Sequence, residues 1–141
     1  MPPIQLVNTR AERIATLNDA VRKAIGLPFN PGRVVMTAGV ATLPDAERTG
    51  LLLAVRDFDR WDAGDNPYGE RDFGALYRVE RCGGVYWTMM DLPEQEDGET
   101  RRRAFFKIDY YAKDDFGRGS EDPSDPDRTT RVLTIMLGEE Y

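Results

Sequence analysis

The sequence contains no histidine. That removes the usual general base at neutral pH and the commonest transition-metal ligand. Ser-His-Asp and Cys-His chemistry within one chain is excluded, as is zinc catalysis on imidazole. Cys82 is the only cysteine, so an internal disulfide and an all-Cys metal site are excluded as well. Long apolar runs are also missing. The longest, Leu51 to Val55 and Ile135 to Leu137, fall far short of the roughly 20 residues of a membrane span. The N-terminus lacks a basic region followed by an apolar stretch, so the expected setting is cytoplasmic, without a signal peptide. No cofactor signature is present. Any catalysis would rest on carboxylates, Lys, Tyr, or a hard metal held by oxygen ligands.

What remains is an ordinary composition, 40% hydrophobic and 31% charged, over 141 residues. That size predicts one domain spanning residues 1–141 with a single core. The net charge of −6 is uneven. Residues 1–60 hold 8 Lys/Arg against 6 Asp/Glu, a balance of +2, and residues 61–141 hold 11 against 19, a balance of −8. An acidic half argues against direct duplex binding, which needs Lys and Arg on phosphates. It suits a protein partner with a basic surface, such as a nucleic-acid-binding complex.

Thr9-Arg-Ala-Glu12 is a capping box ahead of the apolar series Ile14, Leu17, Val21 and Ala24. A helix is expected from Thr9 to Ile25, ended by Gly26 and Pro28, with Arg10, Arg13, Arg22 and Lys23 on its wet side. Arg33 to Ala38 reads as a strand that bends or ends at Gly39. Pro44, followed by Asp45 and Glu47, opens a second helix that runs to Arg60 or Trp61. Its stripe is Leu51, Leu52, Val55 and Phe58.

Phe73 to Glu80 alternates, with Phe73, Ala75, Tyr77 and Val79 on one face and Arg78 and Glu80 on the other. Cys82-Gly-Gly84 turns it into a return strand over Val85 to Leu92, and Pro93 to Arg103 follows as a charged loop. Phe106, Ile108 and Tyr110 face the core from the next strand; Phe105, Lys107, Asp109 and Tyr111 occupy its other face. Ala112 to Thr129, with Asp-Pro twice, reads as a stiff irregular loop. Val132 to Leu137 is apolar on both faces and predicts a central strand. The expected fold is α+β: two helices on a mainly antiparallel sheet of about four to five strands, with the C-terminal strand central.

Four groupings could carry function. Asp65-Asn-Pro-Tyr-Gly-Glu-Arg-Asp-Phe-Gly74 offers Asp65, Asn66, Tyr68, Glu70, Arg71 and Asp72 for binding. Paired carboxylates there could bind Mg²⁺ or act as acid and base. Lys107, Asp109 and Tyr111 share a strand face. Lys107 and Asp109 with Glu70 and Asp72 would be the parts of a metal-dependent hydrolase or nuclease, although the Lys precedes the acid instead of following it. Asp122 and Asp125 lie in an acidic Pro-rich loop whose spacing lacks the alternation of a calcium loop. Trp61, Tyr68, Tyr86, Trp87, Tyr110 and Tyr111 are aromatics of the kind enriched at interfaces.

Several of these segments together resemble a small uncharacterised alphaproteobacterial family, domain of unknown function 3768, found on plasmids and phage-related elements. The resemblance rests on Asn18-Asp19, Met36-Thr-Ala-Gly-Val40, Val55-Arg-Asp-Phe-Asp59, Asp65 to Gly74, Lys107-Ile-Asp-Tyr-Tyr111, Asp122-Pro-Ser-Asp-Pro126 and Thr130 to Leu137. It implies no established activity. Members usually carry His where this chain has Arg71, so an activity resting on that His would be lost here. The segment from Met89 to Arg103 looks like an enlarged loop relative to the pattern. The setting implies a non-enzymatic binding protein of mobile elements, comparable with acidic inhibitors of restriction or CRISPR systems. A metal-dependent hydrolase and a sheet-mediated homodimer are the alternatives.

Overall fold

The computed structural model describes residues 9–81, 83–89 and 102–141. Thr9 caps α1 (Arg10–Lys23): its hydroxyl accepts from the Glu12 amide while the Glu12 carboxylate accepts from the Thr9 amide. Such a cap contributes about 1 kcal/mol. After α1 come β1 (Arg33–Met36), the short α2 (Ala38–Ala41) and α3 (Asp45–Arg56). Pro44 stands at the α3 cap, and the helix stops at Arg56, short of the expected Arg60. The segment expected to end β1 at Ala38 is the start of α2 instead. Gly39 is required there for closeness: a Cβ would lie 2.5 Å from the Glu140 carboxylate.

The remaining strands are β2 (Phe73–Arg81), β3 (Gly84–Thr88), β4 (Arg102–Ala112), β5 (Asp115–Gly119) and β6 (Thr129–Leu137). They form one six-stranded mixed sheet, ordered β1-β6-β4-β2-β3, with β5 beside β4. Only β1 and β6 run parallel; the other pairings are antiparallel. The fold is α+β, as expected, and the C-terminal strand is internal, flanked by β1 and β4. The return strand is described only as far as Thr88. Cys82 and most of the charged loop, residues 90–101, lie outside the described residues.

Two features not read from the sequence have local causes. The segment from Ala112 to Thr129 is not wholly irregular, because β5 pairs back onto β4 through a turn in which Asp114 takes a φ of 59°. In addition, the helices cover the face of β2 that carries Arg78, not the one with Phe73, Ala75, Tyr77 and Val79. Leu76 is fully buried under the helices, and Arg78 on the same face bonds Glu47 of α3. Gly74 shares that face, where a Cβ would sit 2.4 Å from the Phe106 ring.

The core lies between the helices and this face: Val21 and Ile25 from α1, Val40, Leu51 and Val55, then Leu76, Trp87, Ala104, Phe106, Ile108, Leu133, Ile135 and Leu137. Each fully buried large side chain contributes about 1.5–3 kcal/mol. Phe58, Trp61 and Phe106 stack edge to face at its rim, with centroids 4.8–6.1 Å apart.

Candidate functional site

The site is built on a polar core under α1. Asn18 falls on the buried stripe of α1 and is fully enclosed. Its amide nitrogen donates to the Glu70 carbonyl at 2.9 Å and to the Tyr110 hydroxyl at 2.8 Å. Its amide oxygen accepts from Arg131 Nε at 2.9 Å. Tyr110 donates in turn to the Glu70 carboxylate at 2.9 Å, and the Arg131 guanidinium lies over the Tyr110 ring. Arg131 also donates to the Pro123 carbonyl. One helix, two loops and two strands are thereby tied together. Burial pushes the Tyr110 hydroxyl well above its ordinary range, with the Asp72 and Glu70 carboxylates adding to the shift. Burial lowers the pKa of Arg131, against the pull of Glu70.

Beside this network, Asp19 bridges two guanidiniums, Arg22 at 3.0 Å and Arg71 at 3.3 Å. Arg22 was expected on the wet side of the helix but is only 3% exposed. It donates to the carbonyls of Val55 and Arg56 at the end of α3 and lies over the Trp61 ring. A buried guanidinium is tolerated there because the helix end supplies carbonyls that need donors. Arg71 has a φ of 55°, a left-handed conformation that costs a non-glycine residue about 1 kcal/mol or more. These groups line a cleft of about 490 Å³ with Lys23, Arg56, Asp57, Phe58, Asp59 and Trp61.

The other residues singled out from the sequence lie outside this cleft. Asn66 is buried and works as a clamp on the edge of β2: its nitrogen donates to the Phe73 carbonyl and its oxygen accepts from the Asp72 amide. Asp65 lies in a shallow depression with Arg60, Asp62, Ala75 and Tyr77, and Tyr68 is exposed. The Asp72 carboxyl is held above its usual range, first by burial and then by the Glu70 and Asp109 carboxylates. Lys107 and Asp109 pair with each other at 3.1 Å on the sheet face opposite the helices. Asp122 bonds the backbone and hydroxyl of Ser124, which lowers its pKa, and it pairs with Arg10 at 3.6 Å. Asp125 closes a turn onto the Asp127 amide.

Lys107 and Asp109 do not line the cleft that holds Arg71. Among the described residues, no three Asp, Glu, His or Cys side chains are set to hold a metal ion.

The face opposite the helices has its own order. Phe73, Phe105 and Tyr141 form one aromatic group, with centroids 5.3–6.0 Å apart. Tyr111 and Phe116 form another, 5.5 Å apart. Arg33 of β1 reaches the Phe116 ring of β5 at 4.8 Å, across β6 and β4. The sheet must curl strongly for side chains so far apart in strand order to meet. Along β4 this curled face, the trough, carries one aromatic group at Phe105, then the Lys107–Asp109 pair, then the second group at Tyr111. Val79 and Met136 on this face are buried, so its cover is partial.

Asn18 and Asp19 entered the sequence reading only through the family resemblance; Arg22 and Arg131 were not singled out as site residues. A signal existed for three of these four: Asn18 and Arg22 sit four apart on the apolar stripe of α1, and Arg131 opens an apolar strand. Each is a polar residue where the pattern asks for an apolar one.

No described helix is long and apolar enough to cross a membrane. Comparison with curated proteins and with solved structures finds no match. The model of one family matches residues 36–140, which include the Arg56–Asp59 wall of the cleft, the loop that carries Glu70 and Arg71, and strands β1 to β6 except the first three residues of β1. The chain belongs to this family, described as proteins of unknown function, DUF3768.

Proposed function

We propose that this protein is a non-enzymatic binding protein that takes a basic segment of a protein partner into the trough on its second sheet face. The observation that carries the reading is the pair of aromatic groups on that face. All three described helices serve the other face, yet this one keeps Phe73, Phe105, Tyr111, Phe116 and Tyr141 at or near the surface. Aromatic side chains gathered in this way supply large contact area at low entropic cost. Their ring faces attract Arg and Lys, and a net charge of −6 draws a basic partner from a distance.

A basic surface of this kind belongs to proteins that handle nucleic acid. The resemblance to a family of plasmid and phage-related elements makes a host restriction or CRISPR complex the fitting partner, with this protein as its inhibitor. The test is expression in hosts with active restriction or CRISPR interference, scored by plasmid transformation efficiency. The expected result is a clear rise in efficiency for at least one system. Unchanged efficiency in all of them, with soluble protein present, would overturn the inhibitor reading.

A further inference from the structure

We infer that the cleft between the ends of α1 and α3 and the Arg71 turn binds an oxyanion of phosphate or carboxylate chemistry, at a site separate from the trough. The cleft holds four cations against three carboxylates, a balance of +1 in a protein of net charge −6. Two of its guanidiniums have a hydrogen still to give. Arg22 Nε and Arg71 Nε are buried atoms with no hydrogen-bond partner among the described residues. Arg22 is only 3% exposed, so the desolvation of that donor is not relieved by bulk water.

The commitments of the remaining groups favour an anion. Arg56 is taken by Asp57 in a two-pronged pair at 2.9 and 3.1 Å. Asp19 is taken by Arg22 and Arg71. Nη1 of Arg22 covers the Val55 and Arg56 carbonyls at the end of α3, which would otherwise repel an anion, while its Nη2 donates to Asp19. Lys23 stands exposed at the rim, and no ion pair of its own is present among the described residues. Asp59 is the opposing carboxylate. Among the described residues of the cleft, three donors are therefore without a partner against one carboxylate, Asp59, and Arg71, whose backbone is left-handed, pairs with Asp19 there. Guanidinium groups are the side chains best matched to carboxylate and phosphate.

The test is an NMR titration of the intact protein with inorganic phosphate and, separately, with acetate, following the Arg Nε and Trp61 indole resonances. Sodium chloride at matched ionic strength is the control. The expected result is a saturable shift with one or both oxyanions. Arg71→Ala and Lys23→Glu should each weaken it roughly tenfold or more. Asp59→Asn should tighten it, and Lys107→Ala, outside the cleft, should leave it unchanged. Lys23 is on the helix surface, so its variant keeps the test valid if Arg71→Ala fails to fold. A response that never saturates, that chloride reproduces, or that survives both cleft variants would overturn the inference. None of these results depends on the trough reading, because Lys107 and the aromatic groups lie on the other face.

Discussion

At the scale of single residues, the molecule turns on Asn18. Its side chain touches the Glu70 turn, Tyr110 of β4 and Arg131 of β6 together. Asn18→Ala would leave Arg131 Nε and the Glu70 carbonyl without their partner in a dry site. The expected loss is about 3 kcal/mol, read by urea unfolding. A loss below about 1 kcal/mol would mean that the network is not holding these elements. Two carboxylates should show opposite pH behaviour. Asp72 is raised in the folded state, so its ionisation works against the fold as pH rises through that raised value. Asp72→Asn should therefore gain over wild type as pH rises from the acid range to neutrality, and match it in acid. Glu140 is lowered, chiefly by the Thr37 hydroxyl at 2.6 Å and then by the Leu137 and Gly39 amides. Its stabilisation is present above the ordinary glutamate value of 4.5 and is lost as pH falls through the lowered one. Glu140→Gln should cost stability at neutral pH and nothing in strong acid. Unfolding curves across pH for the two variants should thus diverge from wild type in opposite directions.

At the scale of elements, legibility followed the strength of local signals. The capping box fixed the start of α1, and the alternation Phe106, Ile108, Tyr110 fixed the core face of β4. Strand β5 was missed because Asp115, Gly117 and Gly119 are poor strand formers, and its pairing comes from the turn at Asp114 and from β4. Which face of β2 meets the core was not legible, because that face includes a residue with no side chain. Gly74 is there so that Phe106 and Phe58 can meet over the backbone, with ring atoms 2.4–2.7 Å from where a Cβ would be. Gly74→Ala should cost about 1–3 kcal/mol through overpacking, measured by denaturant midpoint. An unchanged midpoint would place the two rings elsewhere. The cleft was the least legible part, because its groups come from Asp19 and Arg22 of α1, Arg56 and Asp57 at the end of α3, and Arg71, and only the fold brings those separate stretches together.

At the scale of the whole molecule, one sheet separates two surfaces of different chemistry. The helical side carries the polar tie and the small cationic cleft; the other side carries the aromatic trough. The acidic loops add the long-range field but are mostly busy locally, as in the Asp122 and Asp125 turns and the Arg128–Glu121 pair. Charge is expected to set the rate of partner encounter and the trough to set how long the partner stays. Partner binding should then weaken with salt, while a trough variant should fail even at low salt. The most direct test is quantitative affinity capture of restriction and CRISPR effector complexes by the wild-type protein and by Phe105→Ala/Tyr111→Ala, with Lys23→Glu as a control on the helical side. The account predicts capture by wild type and Lys23→Glu and a loss of roughly tenfold or more for the trough variant. Equal capture by all three, or loss only in Lys23→Glu, would contradict it.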